Sequence, residues 1–104
     1  MEVEVTEIGK DVPTKIVLRK YSAGQRNQAY RDAMKIRGDV KAANGSYDLD
    51  FVLYNELRVL AAIESPAEFK SLQAIRDKLY PEDYDKLVVA VDKLSEVSPL
   101  ASTS

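Results

Sequence analysis

The chain contains no cysteine, histidine or tryptophan in its 104 residues. Disulfides, thiolate nucleophiles, imidazole bases and the usual cysteine- and histidine-based zinc sites are therefore excluded. Its four glycines, at positions 9, 24, 38 and 45, lie too far apart in the sequence to form a phosphate-binding loop. Because most catalytic machinery is missing, we expect a protein that is not an enzyme and needs neither a cofactor nor a metal.

Long apolar runs are also missing, because no stretch approaches the roughly 18 residues that a membrane-spanning helix needs. The first residues include Glu2, Glu4 and Glu7, where a secretory signal would have positive charge followed by an apolar segment. We expect a soluble, cytoplasmic protein with no membrane partner. Its length predicts a single domain over about residues 1–97, and the polar end at 98–104 is expected to be a flexible tail.

Charge is distributed unevenly along the chain, although the net charge is only −2. Residues 1–11 carry −3, residues 12–41 have eight basic against two acidic side chains, and residues 42–104 carry −5. The basic segment 12–41 fits a nucleic-acid patch, a site for an acidic protein partner, or attraction between the two halves of the chain. It also fits an ordinary solvated surface. The candidate partner-binding cations in it are Arg19, Lys20, Arg26 and Arg31, and the tyrosines of the chain could stack bases beside the first three.

A β-hairpin is predicted over about residues 2–21. Val3 and Val5 alternate with acidic residues, which is typical of a half-buried strand. The sequence Gly9-Lys10-Asp11 favours a turn. The following stretch from Thr14 to Tyr21 is rich in β-branched residues, and it places Ile16 and Leu18 on one face.

The first helix is predicted over about residues 23–37. Ser22 and Gln25 have the spacing of a capping box, in which each side chain binds the other residue's backbone N–H. Its buried stripe is expected to include Ala29, Ala33 and Ile36, with Tyr30 and Met34 beside them. Gly38 is expected to end it, and residues 38–46 are predicted to form a loop with a turn at Asn44-Gly45.

Three further helices are predicted over about residues 49–63, 66–79 and 82–96. Asp48 or Asp50 can cap the first of them, and we expect this helix to be the most buried one. Ser65, Pro66 and Glu68 favour a helix beginning at residue 66, and Pro81 favours a break before the last helix.

Two valines lie away from the predicted inner stripes of their helices. Val59 on the second helix and Val89 on the last one are ordinary surface residues if they stand alone. If they belong to a contiguous apolar patch, they mark a groove for a protein partner, so both are candidate partner-binding residues.

The order of these elements resembles the small tail assembly chaperones of tailed phages and related proviruses. In that family, an N-terminal stretch that Lys15–Gly24 resembles leads into the first helix. A terminal helix then follows a leucine, an acidic residue and a leucine pair, matched here by Leu79, Asp83, Leu87 and Leu94. The resemblance extends over about residues 3–97.

This resemblance implies a non-enzymatic viral protein that works in the cytoplasm of the host cell. It would bind an extended, aggregation-prone helical tape-measure protein and help tail-tube subunits polymerise around it. The resemblance also implies self-association along the client. Such a role requires exposed apolar surface for helices, and charge that keeps the complex in solution.

The sequence thus predicts an α+β fold, a short N-terminal antiparallel β-hairpin followed by three to four packed α-helices. The predicted function is that of a tail assembly chaperone with protein partners. The alternative is a small nucleic-acid-binding regulator that uses the basic segment 12–41. A small enzyme would require a deep pocket lined by convergent polar groups.

Overall fold

The computed structural model describes residues 1–37 and 46–96. It confirms the α+β class, with N-terminal antiparallel strands that form a three-stranded sheet and with four helices. The predicted turn at Asn44-Gly45 and the predicted flexible tail at 98–104 lie outside the described residues. The strands are β1 (Glu2–Val5), β2 (Thr14–Leu18), β3 (Met34–Arg37), β4 (Ser46–Leu49) and β5 (Ile63–Ser65), and the helices are α1 (Ala23–Ala33), α2 (Phe51–Ala62), α3 (Leu72–Lys78) and α4 (Pro81–Glu96).

The main sheet has the order β1-β2-β5, and both pairings are antiparallel. β1 and β2 form the predicted hairpin, in which Glu2 lies opposite Val17 and Val5 lies opposite Thr14. The turn in its connection contains Gly9, which has a φ of 86° that only glycine adopts without strain. β5 was not predicted as a strand, because its three residues Ile-Glu-Ser are too few to show a period in the sequence.

α1 is shorter than predicted. The capping box is confirmed, because the Ser22 hydroxyl accepts from the Gln25 N–H at 3.1 Å and the Gln25 side chain accepts from the Ser22 N–H at 2.8 Å. The helix ends at Ala33 instead of residue 37, and Met34 already has extended backbone. Residues Met34–Arg37 alternate between apolar and basic, and they pair as β3 with β4 in a second, two-stranded sheet.

The predicted helix over 66–79 is interrupted. Ala67–Phe69 form a single 3₁₀ turn after Pro66, and α3 begins only at Leu72. The Ser71 hydroxyl caps α3 by accepting from the Ala74 N–H at 3.1 Å. The capping signal at Ser65–Glu68 therefore begins only a short turn, because the helix itself begins after a second cap, Ser71, six residues later. The last helix, predicted over 82–96, begins one residue earlier, at Pro81.

The main core lies between the sheet, α2, α3 and α4. None of its members in the described part of the chain comes from α1, which buries only Ala29 and Ala33 and whose Ala29 lines a small groove together with residues of α2. Tyr30, which was expected on a buried stripe, is exposed. The core residues are Val5, Ile16, Leu18, Val59, Ala62, Ile63, Phe69, Ala74, Ile75, Leu79, Leu87, Ala90 and Val91.

α2 is capped by Asp50, one of the two predicted caps, whose carboxylate accepts from the Leu53 N–H at 3.1 Å. Its fully buried residues are Glu56, Val59 and Ala62, and Phe51 and Val52 are its only exposed ones. Among the helices in the described part of the chain it has the smallest exposed fraction, which confirms the prediction that it is the most buried one. The prediction that Val59 lies away from the core is wrong, because Val59 is only 1% exposed.

Candidate functional site

The structure brings three of the four predicted basic residues to one cleft. Arg19, Lys20 and Arg26 line it together, whereas Arg31 does not, although it is exposed on the same helix α1 as Arg26. Arg19 and Lys20 precede the helix cap Ser22, and Arg26 follows it within α1. The basic segment is therefore a local cluster in space, not only a feature of the sequence.

The two candidate valines have opposite surroundings. Val59 lies in the core, so it is not part of an accessible surface. Val89 is 52% exposed on α4, as expected for a residue away from the inner stripe.

The cleft has a volume of about 490 Å³ and lies between the β2–α1 connection, α2 and α4. Arg58 of α2 adds a fourth cation to its lining, and sequence reasoning did not single it out. The remaining lining is apolar or hydroxyl-bearing. It consists of Tyr21, Ser22, Ala23, Tyr54, Ala62, Val91, Leu94 and Ser95.

A chain of hydrogen bonds connects three elements across this cleft. The Arg58 Nε donates to the Tyr21 hydroxyl at 3.1 Å, and the Tyr21 and Ser95 hydroxyl oxygens are 3.2 Å apart. Ser95 donates its own proton to the Val91 carbonyl at 3.1 Å. Since each hydroxyl has one proton, Tyr21 must be the donor to Ser95. The chain thus runs in one direction from α2 through Tyr21 to α4, and it fixes the walls of the cleft.

Arg58 is the most constrained cation of the cleft. Its guanidinium forms an ion pair with Asp92 of α4, donates to the Asn55 side chain at 3.3 Å and lies 5.5 Å from the centre of the Tyr54 ring. Burial acts most strongly and would lower the pKa of Arg58, but the hydrogen bonds to Asp92 and Tyr21 together outweigh it and raise that pKa. Arg58 therefore stays charged and holds α2 against α4.

A second surface is apolar. Phe51 and Val52, in the first turn of α2, are 68% and 70% exposed, and Tyr80 is also exposed. Val52 also lines a groove of about 300 Å³ between α2, α3 and the start of α4. We define the apolar surface as Phe51, Val52 and Tyr80 together with this groove. The apolar side chains that line the groove are Val52, Ile75, Leu79, Pro81 and Tyr84.

A bidentate ion pair closes one side of this groove. Both nitrogens Nε and Nη2 of Arg76 lie 2.8 Å from the two carboxylate oxygens of Glu56, which joins α3 to α2. The Tyr84 hydroxyl lies buried nearby and has no hydrogen-bond partner among the described residues. Burial raises the pKa of Tyr84, and the negative charge of Glu56 adds to that effect.

A third polar cluster stabilises the main hairpin. The Glu7 carboxylate is almost fully buried and accepts from Lys10 Nζ at 2.8 Å and from the Thr14 hydroxyl at 2.7 Å. The hydrogen bond from Lys10, followed by that from Thr14, lowers the pKa of Glu7 despite its burial. The Ile8 N–H also donates to the Lys78 carbonyl at 2.9 Å, so this turn is joined to the end of α3.

Within residues 1–37 and 46–96, no group of three or more acidic side chains is placed to hold a metal ion. Asp50 caps α2, and Asp83 is buried in the first turn of α4 with Lys86 Nζ at 3.5 Å. In the same part of the chain, every helix is too short or too polar to cross a bilayer.

Comparison with models of protein families, with curated proteins and with solved structures finds no match to this chain.

Proposed function

We propose that this protein is a non-enzymatic assembly chaperone that binds an extended helical client, of the tape-measure kind, and promotes tail-tube assembly around it. The observation that supports the proposal is the apolar surface. Isolated exposed apolar residues are common on proteins, but here the exposed Val52 lines a groove whose other lining includes aliphatic and aromatic side chains, and the exposed Phe51 and Tyr80 are sequence neighbours of lining residues.

The shape of the apolar surface favours a helix as its occupant. An amphipathic helix inserts side chains at a spacing of three and four residues into a groove between helices. Val52 of α2, Ile75 of α3 and Pro81 at the start of α4 line such a groove. The Glu56–Arg76 pair at its side is already neutralised, so the groove selects for apolar side chains more than for charge.

The test uses a labelled amphipathic peptide that has leucines at helical spacing and an uncharged polar face. Val52→Glu is the informative variant. Val52 is already exposed, and a carboxylate in the first turn of a helix interacts favourably with the helix dipole, so α2 should remain intact. The matched control is Val12→Glu, because Val12 is exposed to nearly the same extent, at 67%, and does not line the groove.

We expect the unmodified protein to bind the peptide with little dependence on salt, because the contact is apolar. Val52→Glu should weaken binding about tenfold, as expected for a lost apolar contact and a newly desolvated charge. Val12→Glu should bind like the unmodified protein. Equal binding by both variants would contradict the proposed role of the apolar surface.

The alternative, a nucleic-acid regulator that uses residues 12–41, makes the opposite prediction for salt. Binding to phosphates releases counterions, so the affinity for a single-stranded oligonucleotide should fall steeply as salt rises. A tight, salt-sensitive complex with DNA, together with no binding of the helical peptide, would favour this alternative.

A further inference from the structure

The basic cleft is chemically different from the apolar surface. Four cations line it, Arg19, Lys20, Arg26 and Arg58, and no acidic side chain is among its described lining residues. Its volume of about 490 Å³ lies within the range of roughly 300 to 1,000 Å³ that is typical of ligand pockets.

The cations that line the cleft have different roles. Arg58 is neutralised by Asp92 and connects α2 to α4, so it shapes the cleft. The Arg26 guanidinium donates to the neutral side chain of Asn27, whose Oδ1 lies 3.2 Å from the Arg26 Nη2. Among the residues that the structure describes, neither Arg19 nor Arg26 has a carboxylate within ion-pair distance. These two guanidinium groups are therefore available to an external anion.

The interior of the cleft is apolar beneath this basic rim. Leu94 and the ring of Tyr54 are half-buried lining residues that a ligand can contact, whereas Ala62 and Val91 belong to the buried core behind the lining. A bare inorganic anion would leave this apolar part unused. A ligand that matches both parts combines carboxylates with aliphatic side chains, as a polypeptide with alternating acidic and apolar residues does.

The charge outside the cleft opposes a nucleic acid. A specific nucleic-acid complex covers roughly 1,000 Å² or more of protein surface. Such a footprint would extend beyond the cleft to a protein surface whose overall charge is negative, with acidic residues exposed on β1 and at the start of α4. A short acidic segment can bind the cleft alone and avoid this repulsion.

We infer that the cleft between the β2–α1 connection, α2 and α4 is a second binding site, which takes an acidic, amphipathic polypeptide segment of a partner protein. Arg19 and Arg26 bind its carboxylates, and Tyr54 and Leu94 contact its apolar side chains. The inference does not depend on the apolar surface, because the two sites have different lining residues.

The experiment measures binding of a labelled peptide of alternating glutamate and leucine to the whole chain. The control ligand replaces every glutamate with glutamine. Arg26→Glu is the informative variant and Arg31→Glu the matched control, because both residues are exposed on α1, both changes alter the charge equally, and only Arg26 lines the cleft. Circular dichroism verifies that both variants are folded.

We expect the glutamate peptide to bind and the glutamine peptide to bind much more weakly. Arg26→Glu should weaken binding about tenfold, the effect of losing one charge-assisted hydrogen bond, while Arg31→Glu changes it little. Val52→Glu should leave this binding intact, which separates the cleft from the proposed chaperone surface. Similar losses in both arginine variants, or equal binding of the two peptides, would overturn the inference. Tighter binding of a single-stranded oligonucleotide than of the peptide, lost in Arg26→Glu, would assign the cleft to nucleic acid instead.

Discussion

Val59 and Val89 have the same side chain on two helices, and the fold gives them opposite surroundings. Val59 is 1% exposed and belongs to the main core, whereas Val89 is 52% exposed on the outer side of α4. Replacing each with alanine removes the same two methyl groups from the same kind of backbone. The pair therefore isolates the effect of burial on stability.

The magnitude follows from three contributions. Loss of two fully buried methyl groups costs about 1.6 kcal/mol, at roughly 0.8 kcal/mol each. The cavity left at Val59 adds up to about 1 kcal/mol, and the better helix propensity of alanine offsets about 0.5 kcal/mol. Val59→Ala should thus destabilise the protein by about 2 kcal/mol. Val89→Ala should change stability by less than about 0.5 kcal/mol, because its smaller loss of burial and its gain in propensity nearly cancel.

Urea unfolding followed by far-ultraviolet circular dichroism measures both free energies of unfolding. A constant slope against urea for both variants shows that the difference lies in stability and not in the compactness of the unfolded state. Because helix propensity is common to the pair, their difference reports burial alone. If the two variants differed by less than about 0.5 kcal/mol, the position of Val59 in the core would be refuted.

Two further predictions concern the turn of the main hairpin. The folded state lowers the pKa of Glu7, so this group stabilises the protein above its ordinary pKa of about 4.3, and the contribution is lost as pH falls through the lower, folded value. Glu7→Gln should therefore be less stable than the unmodified protein at neutral pH, and the urea midpoints of the two proteins should converge below about pH 4. A difference between the midpoints that stays constant from neutral pH to below about pH 4 would contradict the lowered pKa. Gly9→Ala should cost about 1 to 2 kcal/mol from the backbone alone, because φ is 86° and no atom lies within 4 Å of the added Cβ. Unchanged thermal stability in that variant would be inconsistent with the positive φ.

Local signals in the sequence predicted the elements that depend on neighbouring residues. The alternation around Val5 predicts β1, and the Ser22 capping box predicts the start of α1. Pro81 predicts the start of α4 to within one residue. These features involve contacts between residues a few positions apart, so a single sequence contains the necessary information.

The errors occur where distant segments compete for the same residues. Met34–Arg37 can continue a helix, but pairing with β4 satisfies their backbone groups in a sheet. β5 is a strand because β2 offers a free edge beside it, with Leu18 opposite Ile63. These segments, of four and three residues, are too short for a period in the sequence to decide between helix and strand.

The residues of the candidate sites also fall into those that local sequence identified and those that only long-range packing brought together. The sequence identified Arg19, Lys20 and Arg26 as a basic cluster, since they are close in the chain. It could not identify Arg58, which lies 37 residues from its partner Tyr21 and becomes part of the cleft only when α2 packs against α4. The apolar surface likewise joins the first turn of α2 to α3 and the start of α4, so its residues have no common pattern.

The sequence by itself determined the fold class, the hairpin, the helix caps and the segregation of charge, because each depends on local propensity or on counting. Only the tertiary structure decided which side of α2 is buried, and it placed Val59 in the core while leaving Phe51 and Val52 exposed. A helix of mostly apolar residues offers several sides that could be buried. Its neighbours select one of them: Val59 and Ala62 enter the core, and Glu56, which is buried on the same helix, is paired with Arg76 of α3.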